Sequence, residues 1–134
     1  MSVRYAPSHV DALFEQKDYL GIYTLIDIRA EQGTVLDECI LFSRLLEWVG
    51  STRSGVWQYY ENLKQETYDE VIRILEKFEM HKIKSKYQEG MASWQAPVFC
   101  AELDQWIDEH EEEIYSEILR HASHIIPQLK INAA

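Results

Sequence analysis

Five histidines in a chain of 134 residues invite a search for acid–base or metal chemistry. The densest cluster lies late in the sequence. On one continuous helical wheel His110 and His121 share a stripe with Leu103, Ile114 and Ile125, and Glu117 precedes His121 by one turn. Imidazole and carboxylate donors are the stock of a hydrolytic zinc site, which needs three converging ligands. The run His110-Glu111-Glu112-Glu113-Ile114 departs from HExxH at its fifth position. Glu117 and His121 stand four apart without a second copy, where a di-iron bundle uses paired Glu-x-x-His motifs. A metal-binding or hydrolytic enzyme using His110, Glu117 and His121 is therefore kept as an alternative. A core histidine hydrogen-bonded through one ring nitrogen explains the placement more simply, so no catalytic residue, metal or other cofactor is expected.

Nucleophiles are no better placed. Gly50-Ser51-Thr52-Arg53-Ser54-Gly55 matches neither GxSxG nor a Walker loop and follows a helical pattern, which makes it a connector. Its hydroxyls and Arg53 leave anion binding at the next helix as a weaker reading. Cys39 and Cys100 sit outside any CxxC spacing in apolar company and read as buried, reduced thiols. The four tryptophans, Trp48, Trp57, Trp94 and Trp106, read mostly as core.

Charge gives a stronger signal. The chain carries 23 acidic and 13 basic side chains, a formal net charge of -10. Residues 1–63 carry five basic and nine acidic groups, residues 64–100 six and six, and residues 101–134 two and eight. From Ala101 to Glu117 there is no Lys or Arg, but there are Glu102, Asp104, Asp108, Glu109, Glu111, Glu112, Glu113 and Glu117. On a single helix Asp104, Asp108 and Glu112 form one four-residue ladder, and Glu109, Glu113 and Glu117 another. Each like-charged step costs about 0.2–0.5 kcal/mol before screening. A partner rich in Lys and Arg would relieve that repulsion; acids that merely keep the surface wet are the plain alternative. Lys82, Lys84 and Lys86 alternate in sequence and are bracketed by Glu76, Glu79 and Glu89, which reads as a solvated segment. The acidic balance excludes direct binding to nucleic acid.

These residues need elements to hold them. Hydrophobic content of 46% with few Gly and Pro, and apolar residues recurring at steps of three and four, predict an all-α fold of about seven helices. Residues 1–134 read as a single domain with an acidic C-terminal helical region over 98–126. Ser8 with Asp11 starts a first helix. Asp18 caps a second, carrying Tyr19, Leu20, Tyr23, Ile26 and Ile28 toward a stop at Gly33. Thr34 with Asp37 opens a third that ends at Gly50. Val56 to Leu63 form a short aromatic helix. Thr67 with Glu70 forms a capping box for the amphipathic helix through Val71, Ile74, Leu75 and Phe78. His81 to Met91 add another. Pro97 suits a first helical turn, and Pro127 stops or kinks the last pattern, with a break near Asp108 to Glu111. No run reaches the roughly 20 apolar residues of a membrane span, and the first residues lack a signal-peptide core, so a soluble cytoplasmic protein is expected.

Gly55-Val56-Trp57-Gln58-Tyr59-Tyr60-Glu61-Asn62 resembles the Gly-Phe-x-Gln-Tyr-Phe-x-Asn core of a bacterial family named for a DNA-mimic protein. The likeness covers roughly residues 35–127 and extends to the helices flanking the signature and to the acidic C-terminal region. Val56 replaces the usual Phe, and Arg53-Ser54 stand where Asn-Gly is common. The signature makes sense as architecture: a Gly-permitted turn, aromatic rings entering a core, and Gln58 and Asn62 one turn apart to bind backbone. The resemblance implies a helical fold and an acidic surface that imitates the phosphate array of DNA. The expected function is thus a non-enzymatic inhibitor or interaction protein. Its acids Glu102 to Glu117 would occupy a basic partner: a DNA-binding protein, or a nucleic-acid-directed toxin in an immunity-type role. A structural or homo-oligomerisation domain is a third reading.

Overall fold

The computed structural model describes residues 7–31 and 36–127. Among them the fold is all-α, without strands: α1 (Pro7–Glu15), α2 (Tyr19–Glu31), α3 (Asp37–Gly50), a 3-10 turn (Ser51–Arg53), α4 (Trp57–Glu61), α5 (Gln65–Lys77), α6 (His81–Ser93), α7 (Pro97–Glu109) and α8 (Glu111–Ser123). No described helix is long and apolar enough to cross a membrane. The chain divides into two units, Met1–Ser43 with Ser116–Ala134, and Arg44–Tyr115.

In the first unit α1 packs on α2. Val10, Leu13 and Phe14 meet a buried stripe of Ile22, Leu25 and Ile26, the i, i+3, i+4 pattern of one helical face. The Asp18 carboxylate accepts the Gly21 amide at 3.0 Å, as an N-cap should. At Gly21 a Cβ would lie 2.6 Å from the end of the Leu13 side chain, so the glycine leaves room for that contact. Leu20, assigned to the apolar face by sequence, is instead 75% exposed: the stripe fixed by Ile22 and Leu25 leaves it on the far side. Cys39, Leu41 and Phe42 of α3 are buried, as are Ile118, His121 and Ala122 of α8. The expected stops and caps at Gly33 and Thr34 lie outside the described residues.

The second unit is built on α5, α6 and α7, with α6 packed on both α5 and α7 and α4 seated on α6. Val71, Ile74 and Leu75 of α5, Ile83 and Tyr87 of α6, and Cys100, Leu103 and Ile107 of α7 are buried. Two boundaries move. The capping box at Thr67 does not form, because α5 already begins at Gln65 after an extended Lys64, leaving Thr67 inside the first turn. The aromatic helix shortens to Trp57–Glu61, with Val56 fully buried ahead of it. α3 ends at Gly50, and α7 has Pro97 in its first turn. Neither cysteine is in a disulfide, and both are buried.

Candidate functional site

The signature segment does structural work. Tyr60, 2% exposed, accepts the Trp48 indole N–H at 2.9 Å and donates to the Tyr87 carbonyl at 2.9 Å. The Tyr59 and Tyr87 hydroxyls share a 2.6 Å hydrogen bond, and Tyr68 stacks on Tyr87 at 5.6 Å and 9°. Burial pushes the Tyr59 phenol up to about 12 and raises Tyr60 and Tyr87 further. A Cβ on Gly90 would come within 2.2 Å of Tyr60, so glycine in mid-α6 lets that ring approach the backbone. Gln58 donates to the Ser54 carbonyl and Asn62 to the Gln58 carbonyl, the backbone-binding role expected of them. Gly55 adopts φ +110°, a conformation that favours glycine. Sequence spacing could not reveal the Trp48–Tyr60–Tyr87 network, since its members are brought together only by tertiary packing.

The 50–55 connector does not keep all of its hydroxyls for a ligand. Ser51 and Thr52 donate to the Trp48 and Val49 carbonyls, satisfying the last turn of α3. Two of the three hydroxyls of the anion-binding reading are thus committed to backbone carbonyls.

The acidic region breaks as expected, at His110, and the break changes its geometry. The His110 ring stacks on Trp106 at 4.0 Å and 16°, and its Nδ1–H donates to the Trp106 carbonyl at 2.6 Å. His110 is the C-cap of α7, its backbone N–H reaching the Trp106 and Ile107 carbonyls, and its ring adds a second bond to the Trp106 carbonyl. The carboxylate ladders drawn on one continuous helix must therefore be corrected. Asp104 to Asp108 remains a step of α7 and Glu113 to Glu117 a step of α8, while the steps to Glu112 and from Glu109 cross the break. His110 caps α7 and is not a residue of α8, which carries His121.

The eight acids then divide by what they touch. Asp104 turns inward: its carboxylate accepts the Val56 amide at 2.8 Å, and burial raises its pKa against the lowering effect of that bond. Glu113 pairs with Lys82 at 3.3 Å and Glu117 with Arg120 at 2.8 Å. Glu109 accepts from the Gln105 amide at 3.0 Å. Among the described residues Glu102, Asp108, Glu109, Glu111 and Glu112 have no ion-pair partner; Glu111 is half-buried and the other four are exposed. Glu111, Glu112 and Glu113 occupy the first turn of α8, where the helix dipole favours them. Asp108 and Glu109 close α7, whose last turn holds no basic residue, and there the dipole opposes them.

The lysines of α6 are not simply solvated. Lys82 and Lys86, four apart, both lie over the Trp106 ring, at 5.8 and 5.4 Å from its centroid. Lys84 turns away to Glu76, whose carboxyl it holds below the usual range. His121 is buried beside Arg120, whose guanidinium lies 3.3 Å from Nε2; burial first and that charge second lower its pKa. Among the described residues no three His, Cys, Asp or Glu side chains are grouped to hold a metal ion.

No family model, no curated protein and no solved structure matches this chain.

Proposed function

We propose that this protein is a non-enzymatic interaction protein whose acidic junction between α7 and α8 occupies a basic, nucleic-acid-binding partner. The observation that carries the reading is the placement of Asp108 and Glu109. Both are exposed, lack a cation within ion-pairing distance among the described residues, and sit at the helix end that disfavours them. Each costs α7 about 0.3–1 kcal/mol that a neutral residue would not. Asp108 breaks the local rule with no ion-pair partner among the described residues, and Glu109 with only the neutral Gln105 amide against it, a pattern expected at a functional surface. Glu102 and Glu112 are further exposed carboxylates of this region without an ion-pair partner among the described residues, Glu111 is half-buried, and Lys82 sits beside them on Glu113. Asp104 falls out of the docking set because its carboxylate is committed to Val56. Glu113 and Glu117 enter it only as members of ion pairs that a competing cation must displace.

Occupation is the mechanism. A fixed array of carboxylates offers Lys and Arg side chains the charge that DNA phosphates would offer them. A DNA-binding protein or a nucleic-acid-directed toxin in the cytoplasm is the partner class, in keeping with the resemblance carried by Gly55 to Asn62. The test is capture of proteins from a duplex-DNA-binding fraction at low ionic strength, using the parent chain and a D108N/E109Q/E112Q variant. Parent-specific capture that duplex DNA competes away supports the proposal. Equal capture by both chains removes the acidic junction from function.

A further inference from the structure

On the same unit, Trp57, Trp94, Gln95, Pro97 and Cys100 line a pocket of about 390 Å³ that the acidic junction does not use. That volume lies within the roughly 300–1,000 Å³ of small-molecule sites, which are walled by apolar and aromatic groups with few polar ones. Trp57 is 42% exposed although it lies within the signature segment, so its ring is not consumed by the core. The indole lies close over Gly55, where a Cβ would come within 2.6 Å of it. Cys100 is no nucleophile here. Burial, with help from Asp104, raises its pKa, and its thiol donates to the Trp94 carbonyl at 2.8 Å.

We propose that this pocket binds an uncharged, planar heteroaromatic molecule, inserted against the Trp57 and Trp94 rings with its hydrogen-bonding edge toward the Gln95 amide. Two indoles supply π-faces for a flat ring. None of the five lining side chains is charged, so nothing pairs with an ionic ligand. The fixed fields nearby are of opposite sign, the Asp104 carboxylate near Cys100 and the positive end of the α7 dipole at Pro97, and they offset each other without selecting a charged ligand. The Gln95 amide, exposed and carrying both a donor and an acceptor, matches a lactam edge.

Quinazolin-4-one, a neutral bicyclic lactam, is the probe, with 2-naphthoate and N-methylquinolinium as its anionic and cationic counterparts. Binding is followed through the indole N–H resonances of the full chain. The expected result is saturable binding that shifts Trp57 and Trp94 and leaves Trp48 and Trp106 in place. Trp57→Ala should weaken it about tenfold, within the range for ring stacking on an aromatic side chain. Gln95→Leu, an exposed change that leaves the core intact, should weaken quinazolin-4-one severalfold without altering the binding of naphthalene. Absence of saturable binding, equal shifts at Trp48 and Trp106, or unchanged affinity in the Trp57 variant overturns the site. Tighter binding of either charged counterpart overturns the ligand class.

Discussion

Two regions of the unit formed by Arg44–Tyr115 handle polar groups in opposite ways. Around Tyr60 the buried donors and acceptors answer one another: Trp48 to Tyr60, Tyr60 to the Tyr87 backbone, Tyr59 to Tyr87. At the α7–α8 junction carboxylates accumulate within six residues, and among the described residues only Glu113 of them has an ion-pair partner. Buried groups left unsatisfied would each cost about 1–3 kcal/mol, so the first region has little freedom to do otherwise. Exposed charges cost far less to leave alone, so the second region can carry a pattern that stability alone would not choose. The first is architecture and the second is available for recognition.

Alkaline titration separates them most strongly. Unfolded tyrosines ionise near pH 10, whereas folded Tyr59 does so at about 12, with Tyr60 and Tyr87 raised still further. A folded pKa above the unfolded value means that the stabilisation is fully present below pH ~10 and is lost as pH rises toward the folded value. From Tyr59 alone, urea unfolding should lose about 1.4 kcal/mol per pH unit between about pH 10 and 12. A flat profile across that window would show these phenols to be freely solvated. The junction acids contribute nothing to this window, since they are already ionised throughout it.

Gly90→Ala is the next largest effect. Alanine normally favours a helix interior by about 1 kcal/mol, but here its methyl would press on a Tyr60 ring held by two hydrogen bonds. A net loss of about 2 kcal/mol is expected in chemical denaturation, as for overpacked cores. A gain in stability would mean that Tyr60 is not fixed.

The smallest effect has the opposite sign. Asp108→Asn and Glu109→Gln should each raise stability by about 0.3–1 kcal/mol at low salt, with the gain shrinking as salt is added. Thermal unfolding at two ionic strengths measures it. Destabilisation by Asp108→Asn would show that its carboxylate has an internal partner, and destabilisation by Glu109→Gln that the Gln105 bond to the carboxylate outweighs the dipole.

The same contrast explains what the sequence made legible. Periodicity sufficed for the helices, because Val71, Ile74 and Leu75 or Leu103 and Ile107 must share a face to be buried. Asp18 worked as a cap because its bond to Gly21 is local. Thr67 misled because a pattern of residue types does not say which of several starting positions packing will select. The tyrosine network, the Val56–Asp104 bond and the seat of Lys82 and Lys86 on Trp106 join residues 12 or more positions apart, which no local pattern encodes. The acidic stretch was plain from composition, and its break near Asp108 to Glu111 was expected, with the helix ending at the His110 C-cap.

Binding of an arginine-rich peptide, mapped residue by residue through backbone amide shifts from about 50 to about 300 mM salt, tests most directly whether the junction is a docking surface. Shifts centred on Glu102, Asp108, Glu109 and Glu112 are predicted, with affinity falling steeply as salt rises and largely lost in the D108N/E109Q/E112Q variant. Shifts centred instead on the exposed acids of α5, Glu66, Asp69 and Glu70, or spread evenly over the surface, would contradict it.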